Sequence, residues 1–278
     1  MLRASSAMDF QNSPVFPRIC VGPARAMYVG PGLQLDPHLN VATTIAVSLD
    51  TDFALRTHDP EHGWSAWSSC PVAVIPSQTL HHLRSAGPMA FLYLDPLGDG
   101  RAPPGPAMLE DGHRRLRREA RTIGIRAAFD GFGLPARRPS DERIARVVRE
   151  IERRPHEFDS APEAAGLACL SPSRFRARFA DEVGLPFTRY RLWRRMAVVM
   201  RTVADGGSLT DGALAAGFAS SAHLSTAFRR MFGLSPRALL ATGVAIDVSE
   251  DAVDVGKQAD AGAPGPAGID RLVKNGDP

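Results

Sequence analysis

Arginine and hydroxyl side chains recur in two similar segments of the chain. Residues 171–185 read SPSRFRARFADEVGL, and residues 220–234 read SSAHLSTAFRRMFGL. An arginine can donate two hydrogen bonds to a guanine base, whereas serine and threonine contact either kind of base pair with weak discrimination. Arginines can also bind phosphate groups. These side chains would therefore suit contacts with a nucleic acid, provided that each segment presents them on one exposed face.

Both segments carry the pattern of an amphipathic helix with its own start and stop. Apolar residues recur at i, i+4 and i+8, which places them on one buried face. A serine stands at each expected N-cap and a glycine at each expected left-handed C-cap. The residues that define the pattern are Ser171, Pro172, Phe175, Phe179, Val183 and Gly184 in the first segment, and Ser220, Leu224, Phe228, Phe232 and Gly233 in the second. We therefore predict two similar helices.

A shorter helical segment precedes each of these helices. Residues 161–170 and 209–219 are rich in alanine and lead into a turn without proline. Gly217 can supply the positive φ of the second turn, whereas the first turn has Ala168 and Cys169 there. The pattern predicts two helix-turn-helix units. The alternative is a helical repeat that serves as a protein-interaction adaptor without binding DNA.

One long helix is predicted between the two units, over residues 187–204. Its aromatic and aliphatic residues share one side, and arginines cover the rest. At about 1.5 Å per residue, such a helix spans roughly 27 Å. This length approaches the ~34 Å between successive major grooves on one face of B-DNA. The linker can therefore hold two helices in adjacent grooves. The arginines are Arg189, Arg191, Arg194, Arg195 and Arg201.

Residues 142–240 resemble the double helix-turn-helix domain of the AraC/XylS transcription regulators. The resemblance rests on both helices, on the aromatic-rich linker and on residues 217–236, GFASSAHLSTAFRRMFGLSP. It implies an α+β multidomain chain with a β-rich, cupin-like N-terminal domain and an all-α C-terminal domain with two helix-turn-helix units. The implied function is sequence-specific regulation through double-stranded DNA. An unidentified small-molecule effector is an expected partner, as is RNA polymerase if the protein activates transcription.

The resemblance also implies which residues read DNA. Base-reading positions of the family correspond here to Ser173, Arg174, Arg176 and Ala177 in the first unit, and to Ser221, Ala222, Ser225 and Thr226 in the second. Ala177 and Thr226 stand where many family members have arginine. We therefore expect the first unit to discriminate more strongly between base pairs than the second. Arg229 and Arg230 lie nearer the end of their helix and are predicted to contact phosphates.

The first hundred residues show short β-type segments, at 43–49, 72–75 and 90–94, and no long helical period. His38, His81 and His82 fall near the places where metal-binding cupins carry their ligands. A His-x-His pair with a nearby glutamate is missing, so we predict neither a metal nor a cofactor. Trp64 and Trp67 suit either stacking on an effector or burial in a small barrel, and burial is the more common case.

The predicted domain order is an effector domain over residues 1–100, a helical connector over 101–138, the DNA-binding domain over 139–242 and a disordered tail over 243–278. One connector helix is expected over residues 106–128, with Leu109, Leu116 and Ile123 seven positions apart. This spacing suits a homodimer seam and equally the docking of the helix on its own barrel. Ser140 is expected to cap the first helix of the DNA-binding domain.

Charge and composition agree with a DNA-binding protein. Residues 139–242 carry 16 basic and 11 acidic side chains, whereas residues 1–100 carry 5 and 8. Three widely spaced cysteines define neither a disulfide framework nor a zinc site. No signal peptide or membrane span is expected, which favours the bacterial cytoplasm and the nucleoid. The motifs of hydrolases, phosphate loops and zinc proteases are missing, so we do not expect an enzyme.

Overall fold

A β-rich N-terminal domain precedes a helical C-terminal domain in the computed structural model of the chain, as predicted. The structure describes residues 17–22, 25–94, 104–134, 139–156 and 160–248. The β segments expected from the sequence match three of the strands closely. The strands are β1 (Arg18–Val21), β2 (Ala26–Gly30), β3 (His38–Leu39), β4 (Thr44–Ser48), β5 (Phe53–Asp59), β6 (Gly63–Trp64), β7 (Ser68–Cys70), β8 (Val72–Ile75), β9 (Leu80–Arg84), β10 (Met89–Tyr93) and β11 (Ala245–Val248).

The strands form two sheets. One has the order β11-β1-β2-β10-β4-β8, and the other has the order β3-β9-β5-β6, with β7 paired to β5. Nearly every residue of β1, β2, β4 and β10 is buried, so both faces of the first sheet are covered. One face shares a core with the second sheet, through residues such as Tyr28, Phe53 and Phe91. Burial on both faces explains why these strands are almost continuously apolar.

Two short helices cover the other face of the first sheet. They are α1 (Pro106–Glu119) and α2 (Ile125–Gly131). The single connector helix predicted over residues 106–128 is therefore wrong, because the chain leaves the helical path between Ala120 and Gly124. Leu116 is 0% exposed and Ile123 is 4% exposed, and both share a core with Met27 of the sheet.

The three residues proposed as a homodimer seam do not form an exposed stripe. Leu116 is already buried within one chain, Ile123 lies beyond the end of α1, and Leu109 packs partly against the same core. Of the two interpretations that the heptad spacing allowed, docking on the chain's own β domain is therefore correct. The burial of these residues leaves no Leu109–Leu116–Ile123 stripe for a second copy to bind.

The C-terminal domain is built from short helices around one long helix. The helices are α3 (Glu142–Arg153), α4 (Ala161–Leu167), α5 (Pro172–Val183), α6 (Phe187–Ala204), α7 (Leu209–Ala215), α8 (Ser221–Phe232) and α9 (Pro236–Leu240). The bounds of α6 are those predicted for the linker helix. Each helix from α3 to α5, and from α7 to α8, has a side-chain N-cap, which explains why the local sequence located them well.

The two domains contact each other through α6, α8 and β11. The backbone amide of Asp36 donates a 2.8 Å hydrogen bond to the carbonyl of Gly233 at the end of α8. Tyr93 of β10 packs against the rings of Trp193 and Phe232. Residues 245–248 belong to the predicted disordered tail of residues 243–278, but they pair with β1 as a parallel edge strand. The rest of the predicted tail, residues 249–278, lies outside the described residues.

Candidate DNA-binding surface

The helices α5 and α8 begin and end in the same way. The hydroxyl of Ser171 accepts a hydrogen bond from the amide of Arg174, and the hydroxyl of Ser220 accepts one from the amide of His223. Gly184 and Gly233 end the two helices at φ angles of 78° and 75°. The predicted caps are confirmed. Since a left-handed C-cap ends each helix at a defined residue, both helices keep the same length.

The turns that precede α5 and α8 differ by one residue. Cys169 takes a positive φ of 53° in the first turn, and Gly217 takes 71° in the second. One residue separates Cys169 from the N-cap Ser171, whereas Phe218 and Ala219 separate Gly217 from Ser220. A non-glycine residue in this conformation costs roughly 1–2 kcal/mol. The first turn therefore forms although its sequence disfavours the positive φ. Packing of α4 against α5 must offset this free-energy cost.

The start of α5 presents two unengaged arginines. Ser173, Arg174, Arg176 and Ala177 are all exposed, while Phe175 and Phe179 are fully buried. Among the residues that the structure describes, the side chains of Arg174 and Arg176 form no hydrogen bond or ion pair. Both guanidinium groups are therefore available to an anionic or hydrogen-bonding ligand. The sequence predicted this exposure of Arg174 and Arg176 in the first helix-turn-helix unit.

Arg178, one turn further along α5, is bound within the protein instead. Its Nε lies 3.0 Å from Oδ2 of Asp141, and its guanidinium also faces Glu182 at 3.4 Å. Hydrogen bonds from Arg143 and Arg178 hold the pKa of Asp141 well below its usual range. An open groove lined by Arg143, Arg174 and Ala177 runs beside these ion pairs. Sequence reasoning missed Arg143 because α3 showed no sign of lying next to α5.

The cap predicted for α3 is one residue too early. Asp141, not Ser140, is the N-cap, and its carboxylate accepts from the amide of Arg143. Ser140 instead donates its hydroxyl and its amide to the carboxylate of Glu182, at 2.8 Å each. Burial raises the pKa of Glu182, but these hydrogen bonds outweigh it and leave the pKa below its usual range. The carboxylates of Asp141 and Glu182 thus join α3 to α5.

The start of α8 is exposed but offers weaker hydrogen-bonding groups. Ser221, Ala222 and Thr226 are exposed, whereas Ser225 is half-buried. The hydroxyl of Thr226 donates to the carbonyl of Ala222 at 3.0 Å, so its hydrogen is already engaged within the helix. His223 is also exposed, and its ring contacts Phe218 edge to face at 5.4 Å. Sequence reasoning did not select His223, although it is the largest polar side chain in this first turn.

Arg229 and Arg230 lie in the last turn of α8, and both are exposed. Within the described ranges, neither side chain forms an ion pair or hydrogen bond. Their position near the negative end of the helix favours a positive charge. They are therefore accessible to a phosphate, in a different region of the helix from Ser221 and Ala222, and the phosphate contact itself stays a prediction.

Two of the three histidines considered as metal ligands, His38 and His81, form a buried pair, whereas His82 is half-buried. His38 and His81 are 4% and 2% exposed, and their ring centroids are 4.2 Å apart. Each Nδ1 lies within hydrogen-bonding distance of a backbone carbonyl, that of Asp36 or of Thr79. Burial, followed by the proximity of His81, lowers the pKa of His38 to about 3. Among the described residues, no group of His, Cys, Asp and Glu has the arrangement of a metal site.

The two tryptophans considered for effector binding are not buried. Trp64 and Trp67 are 36% and 38% exposed. Arg56 lies over both indole rings, at 4.5 Å and 4.6 Å from their centroids, and Arg84 lies over Trp67 at 4.7 Å. Of the two alternatives, burial in the barrel, the more common case, does not apply, because residues 64–69 are exposed. Cation–π contacts already cover part of each indole face.

An apolar cavity of about 70 Å³ lies between the two domains. The β domain contributes Ile19, Met27 and Tyr28 to its wall, and the helical domain contributes Trp193, Phe228 and Phe232. Phe228 and Phe232 belong to α8. The cavity therefore connects the first sheet directly to the second of the two capped helices.

Comparison with known proteins identifies the helical domain. A family model described as a helix-turn-helix domain matches residues 164–242. The C-terminal region is an AraC-type helix-turn-helix domain. This domain is similar to part of the probable transcriptional regulator LumQ of Photobacterium leiognathi, with 32% identity over 98 residues. The match covers 34% of this chain and 40% of that relative.

Solved structures extend the comparison. The AraC-type domain is similar to the DNA-binding domain of AdpA in complex with a target DNA, with 28% identity and a TM-score of 0.33, over 36% of this chain and 90% of that one. An apo variant of ToxT from Vibrio cholerae is similar over 78% of this chain and 97% of its own, with 12% identity and a TM-score of 0.52. The second likeness extends the shared fold to both domains. None of the helices among the described residues combines the length and the hydrophobicity that a membrane-spanning segment requires.

Proposed function

We propose that the chain is a DNA-binding transcription regulator that inserts α5 and α8 into consecutive major grooves. The observation that carries the proposal is the pair of equally capped helices, each with its N-terminal half exposed, on either side of α6. In helix-turn-helix docking, the N-terminal residues of the second helix contact base edges. Ser173, Arg174, Arg176 and Ala177 take this role in the first unit, and Ser221, Ala222, Ser225 and Thr226 in the second. A protein with this role acts where the bacterial chromosome is, in the cytoplasm.

A mobility-shift assay with salt titration tests this function. The wild-type chain should bind duplex DNA with an affinity that falls steeply as salt rises, because each neutralised phosphate releases counterions. Randomised duplexes, selected over several rounds with the full chain, should yield a sequence with two separate half-sites. If the chain binds no duplex at 50 mM salt, the proposal fails and a protein-binding role for the helical repeat becomes the better explanation.

We further propose that a small apolar effector acts at the cavity between the domains. An engineered apolar cavity of ~150 Å³ accommodates benzene, about twice the 70 Å³ present here. An effector of that size or larger must therefore enlarge the cavity. Because the walls belong to two domains, enlargement changes how α8 sits on the β domain. The ligand would thus favour one position of α8 on the β domain over another.

A substitution in the cavity wall tests this coupling without a known effector. Ala197 of α6 lines the cavity, and Ala197→Phe would place a ring where an effector is expected. We expect a change of about threefold or more in DNA affinity, since the ring must displace α8 or the first sheet. Ala241→Phe, the same change at an exposed position, is the matched control. Equal DNA affinities for the two variants would contradict a coupling between the cavity and the DNA-binding helices α5 and α8.

A further inference from the structure

Three arginines of the linker helix α6 point into the protein. Arg194 is 3% exposed, and its guanidinium lies 3.8 Å from the carboxylate of Glu152. Nε of Arg191 donates to the carbonyl of Pro155 at 3.2 Å, and Nε of Arg195 donates to the carbonyl of Ala216 at 2.6 Å. Arginine is rarely buried unless it is paired. These side chains therefore hold neighbouring segments, although the sequence placed them away from the apolar side of the linker.

Arg195 binds the turn of the second unit. Ala216 is the C-cap of α7, and its carbonyl is one of the groups that a helix leaves without an internal partner. The guanidinium also lies over the ring of Phe218, 3.9 Å from its centroid. Phe218 is buried and stands two residues before the N-cap of α8. Arg195 thus contacts both sides of the turn that sets the direction of α8.

Arg191 binds the segment after α3 from the same face of the linker. It lies four residues before Arg195, so the two side chains are one helical turn apart. The carbonyl that it contacts, on Pro155, follows the end of α3. In turn, α3 is joined to α5 by the ion pair of Asp141 with Arg178 and by the hydrogen bonds of Ser140 with Glu182. A chain of polar contacts therefore runs from α5 through α3 and α6 to the turn before α8.

The two segments held by these arginines also touch each other. A Cβ atom on Gly217 would lie 2.8 Å from Cβ of His156, closer than two side chains can approach. Gly217 belongs to the turn of the second unit, and His156 follows Pro155 in the segment after α3. The turn of the second unit therefore packs directly against the segment that follows α3. A rotation of the second unit relative to α3 and α6 would break this contact together with the hydrogen bond of Arg195.

We propose that Arg195, together with Arg191, fixes the angle between the recognition helices α5 and α8. This angle determines how many base pairs separate the half-sites. The inference rests on the proposed DNA-binding function. One added base pair moves the second half-site by about 3.4 Å along the duplex and rotates it by about 34°, since one turn contains roughly 10.5 base pairs. A rigid pair of readers cannot follow this movement. Arg195 is a positioning residue and contacts no base.

The experiment measures tolerance to spacing. The probe is the duplex enriched from a random library by the wild-type chain, together with versions that carry one or two extra base pairs between the half-sites. For wild type, one insertion should lower the affinity by about tenfold or more, the cost of losing one or two base-pair contacts. For Arg195→Ala, this penalty should shrink by about tenfold, because a hydrogen bond from a charged donor contributes that much to an equilibrium constant.

Two further variants separate positioning from other roles. Arg195→Lys keeps the charge but lacks the planar guanidinium that stacks on Phe218. It should relax the spacing requirement as Arg195→Ala does, whereas a simple phosphate contact would be preserved by lysine. Arg189→Ala is the matched control, since Arg189 is on the same helix and its side chain forms no hydrogen bond or ion pair within the described ranges. It should keep the wild-type spacing profile.

The outcomes distinguish the inference from the function on which it rests. If wild type enriches no duplex, the proposed DNA binding is wrong. If wild type enriches a duplex but tolerates insertions, or if both Arg195 variants keep the wild-type penalty, the positioning role is wrong. Thermal unfolding of each variant is measured in parallel. Should Arg195→Ala not fold, the result for Arg195→Lys decides the question.

Discussion

Sequence discrimination should be concentrated under α5, and removal of its two arginines tests this directly. Arg174 and Arg176 are exposed and unengaged among the described residues, so neither must break an ion pair before it contacts a base. A bidentate arginine contact contributes ~1–3 kcal/mol of discrimination against the wrong base. This corresponds to a factor of about 5 to 150 in relative affinity. Arg174→Ala or Arg176→Ala should remove a preference of this size at one or two positions of one half-site.

The helix α8 should contribute less to base discrimination than α5. Ser225 is half-buried, and the hydroxyl of Thr226 already donates to the carbonyl of Ala222. Ser225→Ala should therefore alter base preference by less than ~0.5 kcal/mol, the range of ordinary surface changes. Thr226→Arg should add a guanine preference in the second half-site, because the exposed position allows a long side chain to reach the groove.

Selection from randomised duplexes, followed by sequencing, measures these preferences for wild type and each variant. We expect more information content under α5 than under α8. Equal information under both helices, or an unchanged motif after both Arg174 and Arg176 are replaced, would refute the reasoning. As a control, the thermal stability of each variant is measured. It should equal that of wild type, since each substituted side chain except Ser225 is exposed.

Four further outcomes are expected. Replacing Arg229 and Arg230 with alanine should weaken binding to all duplexes alike and flatten the salt slope by up to ~0.9 per lost phosphate contact, as measured by salt titration. Leu116→Ala should lower the free energy of unfolding by ~2–5 kcal/mol without changing the sedimentation coefficient of the folded chain, whereas a dimer seam would predict dissociation. Gly233→Ala should destabilise the fold by more than ~1 kcal/mol, because the residue has a φ of 75° and a Cβ would lie 2.6 Å from the ring of His38; a denaturant titration would show this. His38 is neutral in the folded protein with a pKa of about 3, so its contribution to stability is present above the unfolded pKa of ~6.5 and is lost as pH falls below it. Between pH 7 and pH 5, wild type should lose about 2 kcal/mol more than His38→Gln, and equal losses in the two proteins would contradict the buried neutral state.

The sequence by itself determined the parts of the C-terminal domain that depend on local interactions. The starts and ends of α5, α6 and α8 follow from capping serines, C-cap glycines and apolar residues at helical spacing, all within a few residues of one another. For the same reason, the exposed positions of Arg174 and Arg176 were predictable, since the buried stripe of Phe175 and Phe179 leaves only one side of the helix free. The strands β4, β8 and β10 were recognisable from short apolar runs.

Only the tertiary structure decided what each element packs against. The heptad spacing of Leu109, Leu116 and Ile123 is the same whether the partner is a second copy or the chain's own sheet, and the break after α1 places Ile123 on the sheet. Likewise, a pattern of arginines around α6 does not show that Arg195 meets a carbonyl 21 residues away. Strand β11 forms because the edge of β1 offers unpaired backbone groups, and its own four residues, AIDV, do not show that such an edge is near. These outcomes depend on contacts between distant segments, which the local pattern of side chains does not contain.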